Sequence, residues 1–200
     1  MSYTSRLPAS WNDTFPARKV EIDLSSPGLA VGELERLLFT GKAICSHADE
    51  VWPKLYIGDQ HSAENLADLS LQRITHVLNA AQCRRRHAGA DLYKGTSITY
   101  MGIEARDSCS FDLSPSFQRA ARFIDGALGG GGRVLVHCQV GVSRSATLVL
   151  AYLMLKQRLT LVEAICAVKN HRGVVPNRGF LRQLIRLDGQ LFGPPQYKHV

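Results

Sequence analysis

The chain has 200 residues, 45% apolar and 20% charged, which suits one soluble globular domain with a substantial core. Its longest apolar run, Ala146 to Leu155 with Thr147 inside it, is about half the ~20 residues that span a bilayer, so it reads as a buried helix. The net charge of +7 suits an acidic or phosphorylated partner, and without a basic stripe interleaved with aromatics it gives no reason to expect nucleic-acid binding.

Residues 1–30 mix Ser, Thr, Pro and charge without lasting periodicity and read as a flexible leader. They hold no apolar stretch of roughly 7–15 residues behind a basic start, so a secretory signal is not read there and a cytoplasmic or nuclear location is expected. From Val31, the residues Leu34, Leu37 and Leu38 mark a short amphipathic helix, an expected surface for substrate selection or for association into a homodimer. Val51 to Ile57 alternates loosely around Pro53, as an edge strand does. A helix over 63–71 and strands over 74–78 and 98–103 are expected next. Between them Arg84-Arg85-Arg86-His87 is the densest basic run, and it reads as a solvated loop. Ser114-Pro115 predicts a helix start, with a serine cap and proline at the first helical position. Phe117, Ala120, Ala121, Ile124, Ala127 and Leu128 carry that helix to Gly129–Gly132. No Gly-Lys-Ser/Thr follows these glycines, so they read as a helix stop and not as a phosphate-cradling loop.

Residues 133–137 then form a buried strand and 143–156 a buried helix. Thr160 with Glu163 makes a capping box for a helix reaching about His171. Phe180, Leu181, Leu184, Leu187 and Leu191 define the last helix, and 192–200 read as a loose tail. Strands alternating with helices predict an α/β sheet covered by helices on both faces, in one domain over 31–191.

Five cysteines, Cys45, Cys83, Cys109, Cys138 and Cys166, show no CxxC or Cys/His ligand spacing, so free thiols are expected and no metal or other cofactor. Cys138 stands apart. It lies at the carboxyl end of a predicted strand, where open α/β sheets bind ligands, and seven residues from Cys138 to Arg144 connect it to a helix start. Unpaired N–H groups and the positive end of the helix dipole form an anion site there and favour a thiolate over a thiol. Arg144 adds a planar fork that can hold two phosphate oxygens. A cysteine that merely fills core space is the plain alternative. Against it stands the cost of burying Arg144 with no anion to bind. Zinc is disfavoured because no second thiolate lies at ligand spacing.

His137-Cys138-Gln139-Val140-Gly141-Val142-Ser143-Arg144-Ser145 matches the H-C-x-x-G-x-x-R-[ST] signature of cysteine-dependent protein phosphatases. With residues 49–58 (DEVWPKLYIG), 74–81 (ITHVLNAA) and 176–181 (PNRGFL), the chain resembles the small, atypical dual-specificity phosphatases, close to the vaccinia-related group. The resemblance implies a protein tyrosine phosphatase-like fold with a central, mostly parallel mixed sheet. It implies that Cys138 is the nucleophile and that the amides of Gln139, Val140, Gly141, Val142, Ser143 and Arg144, with the Arg144 side chain, bind the phosphate. Ser145 is then expected beside the sulfur and His137 as a residue that orders the loop.

A general acid must protonate the leaving oxygen. Asp91, Glu104, Asp107, Asp112 and Asp125 remain open on physical grounds, and the family pattern selects Asp107. Arg106 stands where that pattern has a smaller polar residue or histidine, and Cys109 is not part of it. By the same resemblance Arg172 faces a second phosphate in doubly phosphorylated substrates, and Asn177 borders the cleft. The expected substrates are phosphoproteins carrying phosphotyrosine or phosphoserine/phosphothreonine, mitogen-activated protein kinases among them. Two alternatives are a phosphoprotein-binding scaffold without turnover and a phosphatase for phosphoinositides or RNA 5′ ends. The uncharged Gln139, Val140, Val142 and Ser143 weigh against the second of these.

Overall fold

The computed structural model describes residues 31–44, 46–83 and 88–193. Arg84–His87, the leader, Cys45 and the tail beyond Gly193 lie outside them, so the readings made for those stretches are not addressed. Among the described residues, β1 (Ala48–Trp52), β2 (Leu55–Gly58), β3 (His76–Asn79), β4 (Thr99–Gly102) and β5 (Val134–His137) form one sheet in the order β1-β2-β5-β3-β4. β1 runs antiparallel to β2, and every other pair is parallel. This is the mixed, mostly parallel sheet expected.

The helices are α1 (Val31–Phe39), α2 (Gln60–Glu64), α3 (Leu66–Leu71), α4 (Ala88–Asp91), α5 (Phe117–Gly129), α6 (Arg144–Gln157), α7 (Leu161–Lys169) and α8 (Arg178–Phe192). Strand side chains alternate between two apolar clusters, as the pleat requires. Leu55, Ile57, Leu78, Val134 and Val136 join the larger one with α1 and α5 to α8, while Tyr56, Val77 and Leu135 join the smaller one with Ala63 of α2, Leu69 of α3 and Tyr93. Both faces are therefore covered. α6 lies deepest, buried from Ser145 to Met154 against α5, α7, α8 and β5, which is why its sequence is apolar all round.

Several expectations change in detail. The stretch Val51 to Ile57 is not one edge strand but the turn of the β1–β2 hairpin. Pro53 stops β1, Lys54 takes φ 62, and its N–H donates to Glu50 Oε1 at 2.7 Å. β1 is then the edge, and β2 lies inside the sheet. The helix expected over 63–71 is two helices, because the Asn65 side chain accepts the N–H of Asp68 and starts α3 afresh. Ser114 does not cap α5. Its hydroxyl donates to Asp112 Oδ1 at 2.7 Å, and Ser114–Ser116 form a 3₁₀ turn ahead of the α-helix. The helix with the capping box ends at Lys169, two residues before His171.

The Thr160–Glu163 capping box is reciprocal, and α5 stops at the glycine run, where Gly131 adopts φ 81. The apolar stripe of α1 is buried against α7 and α8 and tied by an ion pair between Arg178 Nε and Glu35 Oε1 at 2.8 Å. It is thus covered by its own chain. No helix among the described residues is long and apolar enough to cross a membrane.

The carboxyl ends of the four parallel strands fall in one row. Gly58 pairs with His137, His137 with Asn79, and Asn79 with Gly102. The segments that leave this row, at Asp59, Cys138, Ala80 and Ile103, are thereby brought to one side of the sheet.

Replacing Thr160 with Ala removes one half of the capping box and should lower stability by about 1 kcal/mol. Urea unfolding measures this loss, and turnover per folded molecule should not change.

Candidate active site

Cys138 continues the face of Val134 and Val136 and belongs to the larger cluster, 2% exposed. His137, one residue earlier, turns to the other face. Burial pushes the Cys138 thiol up, but the Ser145 hydroxyl and N–H, the Gly141 N–H and the Arg144 charge together hold it below the ordinary thiol value. The Gly141 nitrogen lies 3.2 Å from Sγ and Ser145 Oγ lies 3.4 Å away.

The carbonyls of the loop are held away from that sulfur one after another. Gln139 O accepts from the Gln60 N–H, Val140 O and Gly141 O from the Arg172 guanidinium, Val142 O from the Val175 N–H, and Ser143 O from the Thr147 N–H and hydroxyl. In a trans peptide, a carbonyl and the next N–H point in opposite directions. Turning these carbonyls outward therefore turns the N–H groups of residues 140 to 144 the other way, and that of Gly141 meets Sγ. Gly141 has φ 75, and a Cβ there would lie 2.5 Å from Gly58 O, so glycine is required.

Arg144 sits at the first turn of α6 with its side chain 14% exposed. Nη1 donates to Ala105 O at 3.2 Å, and Nε is 3.6 Å from Asp107 Oδ2 and makes no hydrogen bond within the protein. Asp107 Oδ1 accepts from the Ser143 hydroxyl and from Asn177 Nδ2, both at 2.8 Å. The Asn177 N–H donates to Ser143 Oγ at 3.2 Å, and Asn177 Oδ1 caps α8 through the Phe180 N–H. Of the five acids left open by the sequence, Asp107 is the one joined to the loop. Asp91 pairs with Lys94, Asp112 with Ser114 and Asp125 with Lys156, while Glu104 lines a separate cavity with Gln82 and Arg119.

Arg106 is exposed, 6.0 Å from the Phe111 ring, and Cys109 is an exposed free thiol. Burial holds the His137 imidazole down at about 4, and Nδ1 lies 3.4 Å from Cys138 O. The ring is therefore neutral at pH 7. Beside Cys138 and Gln139 a cavity of about 260 Å³ opens, walled by Gln60, Glu64, Asn79, Tyr93 and Tyr100. Val140 stands 62% exposed at the rim of the loop. Among the described residues, no group of three or more His, Cys, Asp or Glu could hold a metal ion.

A buried cysteine held below the ordinary thiol value by two amides and a hydroxyl, with an arginine beside it and a carboxylate across the loop, suits attack on a tetrahedral oxyanion. The model of the dual specificity phosphatase catalytic domain matches residues 55–190. This chain belongs to the dual-specificity phosphatase family. Dual specificity protein phosphatase 26 of Bos taurus is 63% identical over 166 residues, 82% of this chain and 78% of that protein. Dual specificity protein phosphatase 13B of Homo sapiens is 51% identical over 164 residues, 80% of this chain and 83% of that one. The crystal structure of human DUSP28 superposes with a TM-score of 0.64 at 26% identity, covering 75% of this chain and 98% of that chain. The chain is thus a protein phosphatase of the dual-specificity type, and the protein tyrosine phosphatase-like fold expected of it is the one observed.

One expectation for this phosphatase is overturned. Arg172 does not face a second phosphate. It is 0% exposed, and its guanidinium is occupied by Gly141 O, Val140 O, Ser46 O and Asp49 Oδ2. Burying a guanidinium requires that its donors be satisfied, and backbone carbonyls and a carboxylate do so here. Asp49, Ser46 and Gln60 support the loop, and sequence reading did not single them out. Their contacts link segments far apart in the chain, and no local pattern marks them.

Two measurements probe this arrangement. Alkylation of Cys138 by iodoacetate, followed by mass spectrometry, should slow as pH falls through a midpoint below the ordinary thiol value, and Ser145→Ala should move that midpoint upward. The neutral, buried His137 stabilises the fold fully above pH 6.5, the ordinary imidazole value, and this contribution is lost as pH falls towards about 4. The loss amounts to roughly 3 kcal/mol. A His137→Gln variant should therefore show a flatter pH dependence of its urea midpoint across that window.

Proposed function

We propose that this phosphatase hydrolyses phosphotyrosine and phosphoserine/phosphothreonine monoesters through a cysteinyl-phosphate intermediate on Cys138. The observation that carries the reading is the orientation of the loop, with carbonyls outward, amides inward, and Sγ and Arg144 Nε, which makes no hydrogen bond within the protein, at the centre. The thiolate attacks phosphorus, the P–O bond breaks, and Asp107 gives its proton to the leaving oxygen. Water then attacks phosphorus, the P–S bond breaks towards the Ser145 hydroxyl, and Asp107 takes the proton of the water. Inward amides and Arg144 hold the equatorial oxygens as their charge shifts. Gln139, Val140, Gly141, Val142 and Ser143 are the binding loop, His137 orders it, and Asn177 and Ser143 hold the acid.

The uncharged loop favours phosphoproteins over phosphoinositides or RNA 5′ ends. The presence of both nucleophile and acid favours turnover over scaffolding. Mitogen-activated protein kinases are proposed as substrates, in the cytoplasm or nucleus, and the vaccinia-related group as the nearest branch, on the resemblance of residues 49–58, 74–81 and 176–181. For association of two copies, α1 offers Phe39, 76% exposed at its end.

With an aryl phosphate, Cys138→Ser should abolish turnover. Asp107→Ala should lower kcat by about 10²- to 10⁴-fold with substrate binding retained. No wild-type turnover, or equal turnover in the serine variant, would refute the nucleophile, and an unchanged kcat in Asp107→Ala would refute the acid. A substrate-trapping pull-down with either variant tests whether mitogen-activated protein kinases are held.

A further inference from the structure

Arg172 follows α7, with its N–H bonded to Val168 O at 3.1 Å. Its guanidinium is a cation at 0% exposure, packed against the catalytic loop. Nε donates to Gly141 O at 3.0 Å and Nη2 reaches Val140 O at 3.5 Å. Nη1 donates to Ser46 O at 3.0 Å and Asp49 Oδ2 at 2.6 Å. Asp49 lies on the edge strand β1, and its other oxygen accepts from Ser46 Oγ at 2.6 Å. Three residues further on, the Val175 N–H takes the next loop carbonyl, Val142 O, at 3.0 Å. Three successive carbonyls are thus held by one short segment.

We propose that Arg172, fixed by Asp49, is a positioning residue for catalysis. By holding the carbonyls of Val140 and Gly141 outward it aims the N–H of Gly141 at the nucleophilic sulfur and that of Val142 at the bound phosphate. The peptide plane transmits the effect. A carbonyl released by Arg172 is free to rotate inward, which removes a donor and places a partial negative charge where the substrate carries its own. Lysine cannot replace the fork, because a single ammonium does not span two adjacent carbonyls and a carboxylate on the far side. Gly141 contributes from its own side, since a Cβ there would lie 2.8 Å from Arg172 Nη2. The charge of Arg172 is matched by Asp49, so it acts through the loop and not as a field on the sulfur. The proposal rests on Cys138 being the nucleophile.

Arg172→Lys and Asp49→Asn, each checked for folding by near-ultraviolet circular dichroism, are compared with wild type. The pH midpoint of Cys138 alkylation by iodoacetate should rise in both, more in Arg172→Lys. Inhibition by inorganic phosphate should weaken, and kcat/KM should fall about 10- to 100-fold, equally for singly and doubly phosphorylated peptides. A folded variant with an unchanged alkylation midpoint and unchanged phosphate inhibition would overturn the proposal, as would a loss confined to the doubly phosphorylated peptide. If Arg172→Lys does not fold, Asp49→Asn decides by the same readouts. Wild-type turnover tests the phosphatase reading separately, because the alkylation midpoint needs no turnover.

Discussion

Burial by itself pushes the Cys138 thiol up, and the rest of the site is arranged around lowering it. Cys138 is 2% exposed, in surroundings that penalise charge. Hydrogen bonds from Gly141 and Ser145 and the charge of Arg144 outweigh the penalty. These donors work only while the loop keeps its carbonyls turned out, and that conformation depends on partners outside the loop. Gln60 of α2, Arg172 and Val175 after α7, and Thr147 of α6 each take one or more of them. The sheet supplies the common frame. β5 lies between β2 and β3, so the loop that follows it is approached from both sides.

The same economy couples the acid to the phosphate loop. Asp107 is held by Ser143, a loop residue, and by Asn177, the cap of α8, while Arg144 lies close to its second oxygen. Asn177 uses its carbonyl oxygen for the helix and its amide hydrogens for the acid, so the start of α8 and the position of Asp107 are one feature.

Local patterns were the most legible in the sequence. Thr160 with Glu163, the run Phe117 to Leu128 and the apolar segment after Ser145 each carry their structure within a few residues, so periodicity and capping chemistry are enough. Errors arose where a side chain had a competing partner nearby. Ser114 bonds Asp112 and does not cap, Asn65 divides one apolar stretch into two helices, and Pro53 with Lys54 makes a turn inside what alternation suggests is a strand. Arg172 is the most instructive case. An arginine near a phosphate site reads as a ligand, yet here the chain folds over it, and its donors meet carbonyls and a carboxylate.

The sequence by itself determined the chemistry of this phosphatase. A cysteine, a glycine and an arginine at fixed spacing between a strand and a helix suffice, because all three act within one short loop whose ends the backbone ties down. What the tertiary structure alone decided is the direction of each group: how Asp107 is held at the loop, which way the carbonyls face, and whether Arg172 points to substrate or to the interior. Those directions depend on contacts between Asp49, Asp107, Arg172 and Asn177, which lie in three separate segments of the chain. The antiparallel pairing of β1 brings Asp49 there, the exit from β4 brings Asp107, and the packing of α7 and α8 brings Arg172 and Asn177, and no local spacing encodes those contacts.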